Sequence, residues 1–222
     1  MDTKTTITVI AGCIAVGCLA TIAAKTGSDA DGTNVKCIEQ QPCESAQNDS
    51  GEAVRLCHKA AERGDAKAQC RLGMCYFLGD GVPEDKTEAV IWFRRAAERG
   101  DAKAQCFLGC CYYNGVGVER DAVKAVKWYR KAAEQGYAYA QLYLGLCYYE
   151  GNGVEKDVAD ALKWWRNAAE HGNAEARFVL GFIYLIGEDV ERDVSEAGKW
   201  FRKFVKQGLT AAKIRLLRMN NQ

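Results

Sequence analysis

From Glu52 onward the chain repeats every 36 residues without an insertion, and a fixed period of that length points to a stack of like units. Five registers hold the period. Glycines recur at Gly64, Gly100, Gly136, Gly172 and Gly208, and again at Gly73, Gly109, Gly145 and Gly181. Tryptophans recur at Trp92, Trp128, Trp164 and Trp200, alanines at Ala89, Ala125, Ala161 and Ala197, and aspartates at Asp85, Asp121, Asp157 and Asp193. A unit this small cannot bury its apolar side alone, so neighbours must share one core.

The spacing inside a unit predicts two helices. Helix A runs from about Ala66 to Leu78, with Ala66, Gln69, Leu72, Gly73 and Tyr76 three and four apart on one stripe. The turn Gly79 to Asp85 follows, and glycine suits the left-handed residue that ends a helix. Asp85 is placed to cap helix B, with Glu88 completing a capping-box pattern. Helix B then presents Ala89, Trp92, Phe93, Ala96 and Ala97 and ends near Arg99 and Gly100. The array begins with a lone helix B, Ala53 to Arg63, with Leu56 in the tryptophan register. It closes with a lone helix A, Leu209 to Met219, with Leu216 in the leucine register. The expectation is an all-α fold of about ten antiparallel helices, four full 36-residue repeats plus two half repeats. The last unit drifts, with Asp189 in place of the second turn glycine and Phe204 and Val205 in place of the alanine pair. Drift suits a terminal unit that caps a stack.

The recurring pattern is A-x-A-Q-x-x-L-G-x-x-Y-x-x-G-x-G-V-x-x-D-x-x-x-A-x-x-W-[YF]-x-x-A-A-E-x-G, and Ala138 to Gly172 satisfies nearly all of it. It resembles the Sel-one-like repeat, a relative of the tetratricopeptide repeat, over residues 52–222. The resemblance implies a right-handed α/α superhelical solenoid with helix A lining the concave face. It also implies an adaptor scaffold, not an enzyme. Cysteine-rich relatives staple helix A to helix B through a cysteine in the paired-alanine register. Here that register holds Ala97, Ala133 and Ala169, so the staple is absent, and with it the reason to carry over penicillin-related activity.

Thirty Lys and Arg stand against 29 Asp and Glu, so the chain lacks the basic field that nucleic-acid binding needs. Residues 5–24 carry no charge and lie between Lys4 and Lys25, and as a helix they would rise about 30 Å, enough for a bilayer core. They read as an uncleaved anchor, a cleaved signal ending at Thr21-Ile22-Ala23, a lipobox at Ile10-Ala11-Gly12-Cys13, or an apolar tail on a cytosolic protein. Lys4 favours repeats outside the cytoplasm, on a membrane-anchored or exported chain. Residues 26–50 are polar and form a flexible linker, leaving 51–222 as the solenoid.

The chain holds 11 cysteines, and two of them, Cys13 and Cys18, lie in the apolar segment. Cys37 and Cys43 could close a small loop in an oxidising compartment, and Cys57 could reach Cys70 or Cys75. The leading reading of the repeat cysteines is small buried hydrophobes. Cys106 and Cys110, four apart, lack convergent ligands, so no metal and no cofactor is expected. From Glu52 the chain has one serine, Ser195, and His58 and His171 replace Arg or Gln of other copies, as on a solvated surface. No nucleophile–base pairing emerges.

Residues fixed between copies are explained by packing, whereas varying residues are free to bind. The varying outward positions of helix A give Phe107, Tyr139 and Tyr143 as an aromatic centre. They also give Lys67, Arg71 and Lys103 as a basic end, and Glu150 and Glu175 as an acidic one. Aromatics and Arg dominate interface energy, so the expectation is a groove for a peptide or protein partner. The same aromatics could instead pack between units. A hydrolase of cell-wall or peptide substrates and a spacer without a ligand are the other classes.

Overall fold

The computed structural model describes residues 50–219, with side chains described for 53–208. The described residues form nine helices and fall into two compact units that divide at Ala133. The first holds α1 (Ser50–Glu62), α2 (Ala66–Leu78), α3 (Lys86–Glu98), α4 (Ala102–Asn114) and most of α5 (Ala122–Glu134). The second holds α6 (Ala138–Glu150), α7 (Val158–Glu170), α8 (Ala174–Ile186) and α9 (Val194–Met219). The fold class is the all-α helical repeat that the period predicts. The expected N-terminal segment of residues 1–25, and the linker with Cys37 and Cys43, lie outside the described residues apart from Ser50 in α1.

Most of the helix starts have a local cause. Asp85 Oδ1 accepts the amides of Thr87 and Glu88 at 2.9 Å each, and Asp157 accepts that of Asp160 at 3.0 Å, so the aspartate register caps helix B. Asp65, Asp101 and Asn173 cap the A helices α2, α4 and α8 in the same manner. The second glycine of the turn has a steric cause. Gly117 has φ 67°, and a Cβ there would meet the Lys86 carbonyl oxygen at 2.1 Å.

Between successive repeats, a side-chain donor ties each helix A to the helix B before it. Gln69 Nε2 donates to the Ala61 carbonyl at 2.9 Å, and Gln105 Nε2 to that of Ala97 at 3.1 Å. In the second unit Gln141 Nε2 reaches Ala133 at 3.1 Å, and Arg177 Nε replaces the amide on Ala169, also at 3.1 Å. These donors add a second bond to carbonyls in the last turn of helix B, each of which also accepts the amide of the glycine three residues on. Within a unit the A–B contact is steric. At Gly145 a Cβ would meet Trp165 Nε1 at 2.6 Å and the Ala161 carbonyl at 3.1 Å, so any side chain would push the pair apart.

Two details differ from the sequence reading. Of the tryptophan register, Trp92 and Trp200 are buried, but Trp128 and Trp164 are only half-buried. The deepest aromatic register is the next one along, Phe93, Tyr129 and Trp165, each buried against the glycine of its own helix A, Gly73, Gly109 and Gly145. The expected lone helix A from Leu209 is not separate either, because α9 runs unbroken from Val194 through Gly208 to Met219. Leu209 sits in the register of the capping Asp65, Asp101 and Asn173 and has no oxygen to stop one helix and start another. Phe204 and Val205 also replace the alanines that let a following helix approach.

Candidate functional site

In the first unit the outward face of helix A is basic. Lys67 and Arg71 are exposed one turn apart on α2, and Lys103 is half-buried on α4. The Asp65 and Asp101 caps fix these helix starts, and so the points from which Lys67 and Lys103 leave the backbone. Lys103 Nζ lies 5.7 Å from the Phe107 ring centre, within cation–π range. Phe107 itself is 8% exposed, with its ring 5.3 Å from Phe93 of the preceding helix B.

In the second unit Tyr139 is half-buried, its ring 6.1 Å from Tyr137. Tyr137 occupies the capping register, so α6 starts without a side-chain cap. Tyr143, one turn further, is 4% exposed, and Glu150 is exposed at the far end of α6. Glu175 is half-buried in the first turn of α8, and burial raises its carboxyl above the usual range. The structure thus brings Lys103 to Phe107 and keeps Lys67, Arg71, Tyr139, Glu150 and Glu175 reachable. Phe107 and Tyr143 are packed inside their units and contribute little contact area, so Tyr139 is what remains reachable of the aromatic centre.

Several polar residues outside the candidate set have definite partners. Arg94 donates to the Tyr112 hydroxyl at 2.9 Å, and Arg166 to that of Tyr184, each pair joining a helix B to the next helix A. Both residues recur at the repeat period, which was the available signal. Cations also sit over the tryptophans, Arg95 at 4.5 Å from Trp92, Lys131 at 4.4 Å from Trp128 and Lys203 at 4.2 Å from Trp200. His58 stands edge-on to Trp92 at 5.5 Å, and His171 Nδ1 pairs with Gln141 Oε1 at 3.0 Å. In the fourth turn Asp189 accepts the Tyr149 hydroxyl and lies 3.2 Å from Lys156 Nζ.

The chemistry open to this surface is limited. The seven described cysteines are free thiols. Burial pushes the Cys75 thiol up to about 11 and the Cys147 thiol up to about 12, and raises that of Cys70 as well, which keeps them protonated and poorly nucleophilic. Among the described residues no group of three or more His, Cys, Asp or Glu is placed to hold a metal ion, and no helix is long and apolar enough to cross a membrane.

The Sel1 repeat model matches residues 45–65, 66–101, 102–137, 138–173 and 174–209, well over half of the chain. The chain belongs to the Sel1 repeat family. Sel1 repeat proteins are generally protein-interaction scaffolds and typically not enzymes. Among solved structures, one similar protein is a protective antigen of uropathogenic Escherichia coli strains displaying an SLR fold. It is 45% identical with a TM-score of 0.66, and the match covers 70% of this chain and 33% of that one. A Sel1 repeat protein from Oxalobacter formigenes is 38% identical with a TM-score of 0.68, over 72% of this chain and 65% of that one. An immunity protein from Pseudomonas aeruginosa is 26% identical with a TM-score of 0.52, over 71% and 58%. This Sel1 chain therefore spans less than two thirds of the length of the first two structures. No curated protein matches it.

Proposed function

We propose that this Sel1 repeat chain is a non-catalytic adaptor that binds a peptide or protein partner through the outward side of its A helices, on the concave face the family implies. The observation that supports this is a division of labour along helix A. Residues fixed between copies, such as Leu72, Leu108, Leu144 and Leu180, are fully buried. Varying residues such as Lys67, Arg71 and Glu150 are exposed. Packing explains the first set and places no demand on the second. In the first unit the basic set of Lys67, Arg71 and Lys103 suits acidic groups of a partner. In the second, Tyr139 supplies apolar area at small entropic cost, with Glu150 and Glu175 suited to basic groups. The raised thiol values favour binding over a cysteine hydrolase. We place the repeats outside the cytoplasm, held or exported by residues 1–25.

The test is site-specific photo-crosslinking in the native cell envelope. A benzophenone side chain at Lys67 or Tyr139 should capture one discrete partner, and the same group at Lys127 on helix B should not. Equal capture from both positions would remove helix A as the binding side. Labelling of the chain by serine- or cysteine-directed covalent probes would favour the hydrolase reading.

A further inference from the structure

The chain is nearly neutral as a whole, but in the first unit its two signs are segregated. Acids gather in the A-to-B turns, at Asp80, Glu84 and Asp85 and again at Glu119 and Asp121, with Arg120 the one cation among them. The B helices α3 and α5 expose Arg94, Arg95, Lys124, Lys127, Arg130 and Lys131, and their exposed acids are Glu98 and Glu134, one at the end of each. Lys124 is paired with Asp121 at 2.9 Å, which removes most of its field. Arg94 and Arg95 are held by neutral groups, the Tyr112 hydroxyl at 2.9 Å and the Trp92 ring at 4.5 Å, which position each cation and leave its charge. Tyr112 also joins the two helices, because Lys124 Nζ of α5 lies 5.5 Å from its ring centre. Among the described residues of this unit, the exposed large apolar side chains are all on B helices, Leu56 on α1, Ile91 on α3 at 38% and Val123 on α5 at 52%. Ile91 lies one turn before Arg94 and Arg95, and Val123 one turn before Lys127, so apolar and cationic groups share the outward stripe of each helix.

We propose that the outward side of α3 and α5 is a membrane-facing surface, which lies against a bilayer carrying anionic phospholipid headgroups. Charge and apolar exposure together select this occupant. Each Lys or Arg near an anionic bilayer adds to affinity, and apolar side chains among them reach the boundary of the acyl region. A nucleic acid asks for cations and stacking rings and gains nothing from Ile91 and Val123. An acidic protein needs apolar anchors gathered in a pocket, whereas Ile91 and Val123 stand singly on different helices. The surface uses none of the helix A positions proposed for the protein partner, so a chain lying on a bilayer through its B helices keeps them available.

The experiment uses the full chain with a benzophenone side chain at Val123 or at Lys67, and vesicles of phosphatidylcholine with or without phosphatidylglycerol. Illumination should give phospholipid adducts from Val123 and few from Lys67, and only where phosphatidylglycerol is present. The adducts should fall as salt rises. The double change Arg95→Gln and Lys127→Gln should lower them roughly tenfold or more, with helical circular dichroism unchanged. The salt series and the two vesicle compositions need no charge variant, so they decide the matter even where the double change harms folding. Equal adducts from Val123 and Lys67, equal adducts without phosphatidylglycerol, or a folded double variant that crosslinks as well as the parent would overturn the proposal. So would a discrete protein captured from Val123 in the native cell envelope, or binding of a DNA duplex without lipid adducts. None of these outcomes tests helix A against its partner, so the two readings fail separately.

Discussion

The third and fourth repeats share one pattern but keep different interiors. In the third, Trp165 is 1% exposed, its Nε1 donates to the Leu142 carbonyl at 3.1 Å, and Ala168 and Ala169 beside it are fully covered. In the fourth, the equivalent Phe201 is half-buried, as is Phe204, and Val205 is mostly exposed. What seals the third repeat is α8, whose Arg177 and Asn173 bond back to Ala169 and Ala168. Among the described residues nothing seals the fourth in that way, because α9 continues instead of turning. The alanine pair is therefore a requirement of the helix that follows, not of the helix that carries it. Where no helix follows in register, Phe and Val are tolerated.

The comparison is most sharply tested at the two aromatics. Trp165→Ala should cost about 3–5 kcal/mol, because it empties a sealed site and removes a buried hydrogen bond to the Leu142 carbonyl. Phe201→Ala should cost about 1–2 kcal/mol, because part of that surface already meets water. Urea denaturation followed by circular dichroism measures both. Equal losses would mean that the terminal unit is as tightly closed as the inner one.

A middle-sized difference is expected at the glycines that face these rings. Gly145→Ala places a Cβ within 2.7 Å of a Trp165 ring held by its hydrogen bond and by neighbours on both sides. It should destabilise by about 1–3 kcal/mol. Gly181→Ala meets Phe201 at a similar 2.7 Å, but that ring can shift toward solvent. There the gain from replacing a mid-helix glycine, about 1 kcal/mol, offsets the strain. Near-neutral Gly181→Ala beside costly Gly145→Ala is the expected pair, and a reversed order would contradict the account. Val205→Ala should lie within about 0.5 kcal/mol of the parent, as for other exposed positions.

Most of this contrast was legible before any coordinates. The period located the helices of the inner repeats to within a residue or two, and the drift at Asp189, Phe204 and Val205 marked the fourth repeat as different. Repetition reports packing directly, because a residue that recurs in every unit occupies the same surroundings in each. Depth was less legible. Trp128 and Trp164 recur as faithfully as Leu108 and Leu144 but lie half-buried, so recurrence marks a packing position without fixing its depth. The more buried register varies among Phe, Tyr and Trp, so its constancy of size was hidden by a change of letter. The reachability of the candidate residues was legible in part. Lys67, Arg71 and Glu150 are exposed as charge suggests, but nothing in a variable position tells a buried Tyr143 from a reachable Tyr139. That follows from the neighbouring helix, which the local pattern does not contain. The continuity of α9 was missed because Gly208 keeps its register while the residues around it have lost theirs.

The smallest expected difference between the two repeats lies where helix A begins, at Tyr139 in the third and Glu175 in the fourth. Two forces act on Glu175. The first turn of α8 favours a negative charge through its unpaired amides, and burial disfavours it. Burial is the larger, so the folded carboxyl binds its proton more tightly than the unfolded one. A raised acid contributes stability that is complete below its ordinary titration range and lost as pH rises through the folded value. At pH 7 the ionised side chain therefore weakens the fold, and Glu175→Gln should raise Tm by about 1–2 °C in a chain of this length. At a pH below the ordinary carboxylate range, where the folded and unfolded chains both carry the proton, the two proteins should melt together. Calorimetry at both pH values reads the sign. A lower Tm for Glu175→Gln at pH 7 would mean that the helix terminus outweighs burial, and that Glu175 is held charged before any basic partner arrives.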